Sequence, residues 1–268
     1  MGIHRPFVSL VLLAALAGCG GTRLLKDPAM PALEHALAGT SDGRLALDLD
    51  FVIVRNGPGS WARNGDWDEY LLRLRNLTDA PLEIDEVRVE DSSGQESGPL
   101  AGRRDLVAAS WRTIRRYGAQ GLKLQAGRGG GALVATGVGI GVVGYGGAVA
   151  GATNAFLGAG GAAGGGGAAV AGGLVLAAPV LVGVGIVRAV NNARVDDRIG
   201  ARATPLPLSV PAGATVAVDL FFPLSPSPRA VSVHYRTAAG PQVLRLDAGP
   251  ALSGLHLPAE AGPTDKED

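Results

Sequence analysis

Side chains able to do chemistry are few in this chain and far apart. His35, His234 and His256 are scattered, and His4 lies near the N-terminus. No HxxxH or CxxC pair occurs, so the ligand spacing of a zinc site is missing. Asp48, Asp50, Asp66 and Asp68 are the best candidates for a paired acid and base. Their spacing is that of any strand or loop, and the expectation is four solvated carboxylates. Gly139, Gly141 and Gly144 match GxGxxG, but a dinucleotide site also needs an acid about 20 positions on. None follows before Asp196, and in so glycine-dense a region the match is expected by chance. No Gly-Lys-Ser/Thr phosphate loop exists. Trp61 and Trp67 flank a polar loop and form a candidate contact surface, although such residues more often cover the end of a β domain. The expectation is no catalytic residue, no metal and no cofactor: the chain reads as a non-enzyme.

The elements around these residues are more informative. Gly129–Val187 holds 59 residues without one Asp, Glu, Lys or Arg, and 21 of the chain's 42 glycines. Arg128 and Arg188 close it on either side. A membrane-spanning helix needs roughly 20 apolar residues. Gly131–Gly151 and Ala168–Val187 each supply one, with a glycine-rich turn over 152–167 and a kink expected at Pro179. So much glycine is costly to a helix in water, at about 1 kcal/mol each relative to Ala. In lipid an unpaired peptide group costs more than that, which favours helix. Gly137 and Gly141 are four apart, as are Gly147 and Gly151, and Ala169, Gly173 and Ala177 continue the small-xxx-small spacing that lets helices touch. The stretch resembles the glycine-zipper segments of bacterial envelope proteins. The expectation is a membrane hairpin at 129–187.

The N-terminus points the same way. His4 and Arg5 precede an apolar run from Pro6 to Ala17, too short to span stably, which ends in Leu16-Ala17-Gly18-Cys19. This resembles the bacterial lipobox. The resemblance implies cleavage after Gly18, acylation of Cys19 (the only cysteine), and stable anchoring by several acyl chains. In the enterobacterial sorting pattern that this resembles, an Asp after the Cys retains lipoproteins in the inner membrane; Gly20 there implies an outer-membrane lipoprotein facing the periplasm. Loss of residues 1–18 removes Arg5 alone, leaving 23 basic and 24 acidic residues. That near-neutral balance predicts no nucleic-acid partner. Residues 19–44 read as a lipidated tether.

Two β blocks flank the apolar stretch, 45–99 and 204–248. Leu45, Leu47, Leu49, Phe51 and Ile53 alternate with Asp48 and Asp50; Tyr70, Leu72 and Leu74 alternate with Arg73 and Arg75. In Leu82–Asp91 the slip from Ile84 to Val87 predicts a bulge near Asp85 and Glu86. Leu206–Val210, with Pro207, reads as an edge strand. Thr215–Leu224, Ala230–Thr237 and Gln242–Asp247 complete about seven strands. Neither block alone makes a good core. The fold class expected is mainly β: an immunoglobulin-like seven-stranded sandwich with the glycine-rich helical hairpin and a short amphipathic helix inserted. Arg73–Gly94 (RLRNLTDAPLEIDEVRVEDSSG) is similar to the strand-turn-strand of bacterial immunoglobulin-like envelope domains.

The helix is expected over Arg103–Gln120, within a region 100–128 that carries seven basic residues and one acid. Val107, Trp111 and Ile114 recur at helical spacing as its apolar stripe, with Leu106 beside them. Trp111, Arg112, Arg115 and Arg116 are its candidate membrane-surface residues; packing of the apolar side on the β domain is the competing expectation. Residues 188–203 read as a basic connector and 249–268 as a disordered tail. Basic flanks favour the cytoplasmic side, which argues against insertion in the inner membrane. The function expected is a membrane-anchored structural or accessory component of an envelope assembly, with a lipid membrane and a second copy or an envelope protein as partners. A glycine-zipper oligomer that forms a pore, and a periplasmic module binding a glycan or peptide near Trp61, are the alternatives.

Overall fold

The computed structural model describes residues 22–26, 35–127 and 179–258, with backbone alone over 179–187. The signal residues and Cys19, the packing residues Gly137, Gly141, Gly147, Gly151, Ala169, Gly173 and Ala177, and residues 259–268 lie outside the described residues.

The described chain is mainly β, and its sheets are antiparallel. Strands β1 (Arg23–Leu24), β2 (Ala38–Ser41), β3 (Leu45–Ile53), β4 (Ala62–Arg63), β5 (Asp68–Asn76), β6 (Leu82–Glu90) and β7 (Glu96–Ser97) precede helices α1 (Arg103–Ala119) and α2 (Pro179–Arg202). Strands β8 (Leu208–Val210), β9 (Thr215–Phe222), β10 (Ala230–Thr237) and β11 (Gly240–Asp247) follow, then a turn of helix, α3 (Gly249–Leu252). One sheet has the order β2-β3-β5-β9. The other runs β11-β10-β6, with β7 and β8 both on the far side of β6. β1 and β4 form a separate pair.

Alternation puts Leu45, Leu47, Leu49, Tyr70, Leu72, Leu74, Val218 and Leu220 of the first sheet into one core with Ile84, Val87, Val89, Val231, Val233 and Leu246 of the second. Each fully buried aliphatic side chain contributes about 1.5–3 kcal/mol. A second cluster (Trp61, Trp67, Leu106, Val195, Ile199, Phe221) covers the opposite face of the first sheet near the end of β9. The helices sit there, and that is why Phe221 is buried on what alternation alone would call the outer face; Val52 is buried for another reason, because the chain slips after Leu49 and sets it opposite Tyr70 in the main core. The bulge expected in β6 is present: Ile84 pairs with Tyr235 and Glu86 with His234, which leaves Asp85 unpaired. A second irregularity in β3 skips Asp50, with Leu49 opposite Leu72 and Phe51 opposite Leu71.

Several expectations are corrected. The region assigned as a tether contributes β1 and β2. The basic connector is the C-terminal part of α2, and Val195 and Ile199 bury there because every fourth residue returns to one helix face. Residues 249–258 of the tail assigned as disordered are ordered, with Leu252, Leu255 and His256 fully buried. Helix α1 turns a different face inward from the one its apolar residues suggested: Leu106, Ala109, Ser110, Thr113 and Tyr117 are buried, while Trp111 is 52% exposed. The buried face tolerates hydroxyls because they are satisfied. Ser110 Oγ donates to the Asp66 carbonyl at 2.5 Å and accepts from the Leu224 amide at 3.0 Å, and the Tyr117 hydroxyl meets Ser92 Oγ at 2.8 Å. Gly102 brings no side chain to cap α1, and the Asp196 carboxylate of α2 accepts the Arg103 amide at 2.9 Å in its place. Among the described residues no helix is long and apolar enough to cross a membrane.

Candidate functional site

Two consecutive acids open β5, and each holds one flank of the uncharged stretch. Side chains of neighbouring strand residues point to opposite faces. Asp68 therefore serves one side of the sheet and Glu69 the other; both are buried.

Glu69 fastens α2. Its carboxylate accepts the Trp61 indole N–H at 2.5 Å and the Arg202 Nε–H at 2.7 Å, with a second bond from Arg202 Nη2. Arg202 Nη2 also lies 3.1 Å from Asp219, and the guanidinium stands 5.8 Å from the Trp61 ring centroid. The loop after α2 closes on β9, the neighbour of β5 that carries Asp219: the Thr204 amide donates to the Asp219 carbonyl at 2.9 Å, and Thr204 Oγ1 accepts the Asp219 amide at 3.0 Å. Burial, then the negative charge of Glu69, push the Asp219 carboxyl well above its ordinary value, with Arg202 opposing. Burial alone would lower the Arg202 guanidinium, but the charges of Glu69 and Asp219 and their hydrogen bonds raise it. One cation thus serves two carboxylates, one of which favours the protonated form.

Asp68 fastens the other flank through His256. The imidazole Nε2 lies 2.9 and 3.0 Å from the two carboxylate oxygens. Its Nδ1 accepts the Gly127 amide at 3.1 Å. A backbone N–H can only donate, so Nδ1 carries no proton and Nε2–H points at Asp68. The Ser225 amide donates to Asp68 at 3.0 Å, and the Gln125 amide donates to the His256 carbonyl at 2.9 Å. Gly127 has φ +80°, and a Cβ there would stand 1.8 Å from the Arg55 carbonyl oxygen, so only glycine fits.

An Asp–His pair invites comparison with an acyl-transfer triad, where the second ring nitrogen takes a proton from the nucleophile. Here that nitrogen is occupied by an amide, and His256 is fully buried. The pair is a clasp. The pentad Gly39-Thr40-Ser41-Asp42-Gly43 matches GxSxG. A nucleophile elbow joins a strand to a helix; Ser41 instead ends β2 in a turn to β3, and its Oγ accepts the Gly43 amide at 3.2 Å.

The other candidates separate. The four aspartates are not simply solvated: Asp50 pairs with Arg73 at 2.7 Å, Asp48 with Arg73 at 3.6 Å and Asp66 with Arg55 at 2.5 Å, while Asp68 is in the clasp. His35 and His234 join neither clasp. Trp61 and Trp67 are 3% and 5% exposed, and the recess beside them holds about 10 Å³, no more than one water. They are covered by the helices, which overturns the contact surface expected there. Trp111, Arg112 and Arg115 are exposed on α1, but Arg116 turns to the buried Asp91 and lies 5.4 Å from the Tyr117 ring centroid. Among the described residues no group of three His, Cys, Asp or Glu could hold a metal. Reading by spacing missed Glu69, Arg202 and His256, whose partners lie 133 and 188 residues away. Compared with family models, curated proteins and solved structures, the chain matches none.

Proposed function

We propose that this chain is a non-enzymatic cell-envelope lipoprotein, anchored through acylated Cys19, whose β domain is a base for an apolar glycine-rich hairpin inserted in the membrane. The observation that carries the reading is the pair of clasps on β5, which tie both flanks of an uncharged stretch to one strand end. A rigid base of this kind is what a membrane-embedded hairpin requires if it is to be held at a set position against a partner. The finer architecture proposed is an immunoglobulin-like sandwich: β3-β5-β9 faces β11-β10-β6 with β7 beside β6, an order in which the first, second and fifth strands of such a domain oppose its seventh, sixth and third. The location proposed is the outer membrane, facing the periplasm, and the role is structural or accessory to an envelope assembly.

Carbonate extraction of a Cys19→Ser variant exported with an ordinary signal peptide tests this. Retention in the membrane pellet is the expected result. Release into the soluble fraction would remove the hairpin from the proposal. In the retained form, crosslinking across Gly137 and Gly141 separates a monomeric anchor from an oligomer. Palmitate labelling of the native chain and its loss in Cys19→Ser tests the anchor itself.

A further inference from the structure

The outward face of α1 has the composition of a lipid-contact surface. At about 100° per residue, Arg104, Ala108, Trp111 and Arg115 fall on one side, opposite the buried Leu106, Thr113 and Tyr117. Arg112 lies at its edge. All five are exposed, as is Leu122 just beyond the helix, at 44%. Arg104, Arg112 and Arg115 form no hydrogen bond or ion pair among the described residues. Asp105 is the single exposed acid of the helix. Half of the other sixteen arginines in the described chain pair with carboxylates: Arg55, Arg73, Arg88, Arg103, Arg116, Arg202, Arg236 and Arg245. What sets Arg104, Arg112 and Arg115 apart is their grouping on one helix around an exposed tryptophan, a local positive face in a chain of formal net charge +0.

The geometry points to anionic phospholipid headgroups as the occupant of this face, with the three guanidinium groups on phosphates and the Trp111 indole at the level of the headgroups. Charge complementarity selects an anionic partner. An aromatic ring between cations selects an interface with an apolar side over a purely aqueous polyanion. The position in the chain selects a membrane, because the segment after the helix passes through the clasp at Gly127 and leads, two residues on, into the uncharged stretch. This assignment rests on the membrane-anchored reading above and adds to it a lipid class and an orientation, with α1 lying flat and its Trp111 side down.

The test uses the full acylated chain reconstituted in vesicles of brominated phosphatidylcholine, with or without a minor fraction of phosphatidylglycerol. The signal attributable to Trp111 is the difference between the native chain and Trp111→Phe, since Trp61 and Trp67 are buried. Quenching of that signal, stronger with phosphatidylglycerol and weakened by salt, is expected. Each arginine near an anionic surface is worth about a fivefold change in the contact equilibrium, so Arg104→Gln, Arg112→Gln and Arg115→Gln together should lower it on the order of a hundredfold. Unchanged urea midpoints would show that these surface variants remain folded. A chain that floats with the vesicles but leaves Trp111 unquenched, or equally quenched in both lipids, overturns the headgroup site and leaves the anchor standing. A chain that fails to float overturns both. Protection of Trp111 by heparin without bromolipid quenching would overturn lipid in favour of an acidic macromolecule.

Discussion

Replacing Arg202 by Met measures how firmly α2 is held. The substitution keeps most of the aliphatic stem and removes the guanidinium. It leaves Glu69, whose side chain is 1% exposed, with the Trp61 indole still donating to it, beside a second carboxylate on Asp219. Removing one member of a buried ion pair costs about 3–5 kcal/mol, because the other charge stays desolvated. Arg202 keeps 20% of its side-chain surface, which sets the expected loss near the lower end, about 3 kcal/mol. At about 2–4 °C per kcal/mol for a chain of this size, the melting midpoint should fall by about 6–12 °C. Urea titration gives the free energy. Native-state hydrogen exchange should show the Val195 and Ile199 amides losing protection before the strands do, and tryptophan emission should shift to the red as Trp61 and Trp67 are uncovered. Adding Glu69→Gln should recover at least half of the loss, since the buried charge is then gone. A loss below about 1 kcal/mol, the range of a water-screened pair, would refute the account of Arg202 as the fastening of α2.

Asp219 has a raised carboxyl in the fold, so the folded chain keeps a proton that the unfolded chain releases above about pH 4. Stability should therefore decline as pH climbs from that value through the folded one, and Asp219→Asn should flatten this slope in urea midpoints taken across the range. Tyr70 is fully buried with a hydroxyl that has no hydrogen-bond partner among the described residues; Tyr70→Phe should stabilise the chain by about 1 kcal/mol in the same titration, and a loss of stability would reveal a partner for that oxygen. Gly127→Ala forces a Cβ against the Arg55 carbonyl at positive φ and should cost more than about 2 kcal/mol. Limited proteolysis should then cut near residues 120–127 at least tenfold faster, and unchanged cutting would deny the clasp.

The strands were legible because apolar residues repeat every second position wherever one face is buried. The bulge at Asp85 was legible for the same reason, since Ile84 and Val87 break the alternation. The slip at Asp50 was hidden: after it Val52 faces the core opposite Tyr70, yet Phe51 and Ile53 are buried as well, so the sequence shows no interruption. The extent of α1 was readable from its spacing, but its orientation was not. Its buried side relies on Ser110, Thr113 and Tyr117 finding partners in distant loops, and no local pattern predicts a satisfied hydroxyl. The clasps were invisible for a related reason. Asp68 and Glu69 look like the polar start of an ordinary strand, and only the three-dimensional arrangement brings His256 and Arg202 to them.

The pairing of β5 with β9 and of β6 with β10 has a consequence for biogenesis. Leu72 lies opposite Val218 and Val87 opposite Val233, so both sheets are completed by strands made after the glycine-rich segment. A polypeptide emerging N-terminus first must hold three half-covered strands open, with unpaired edges, until that segment has been synthesised and moved aside. Such high contact order slows folding and leaves edge strands exposed to association. The nascent chain should thus depend on a holding chaperone at the stage when residues up to about 200 are out, and a release-stalled intermediate of that length should aggregate where the finished protein does not.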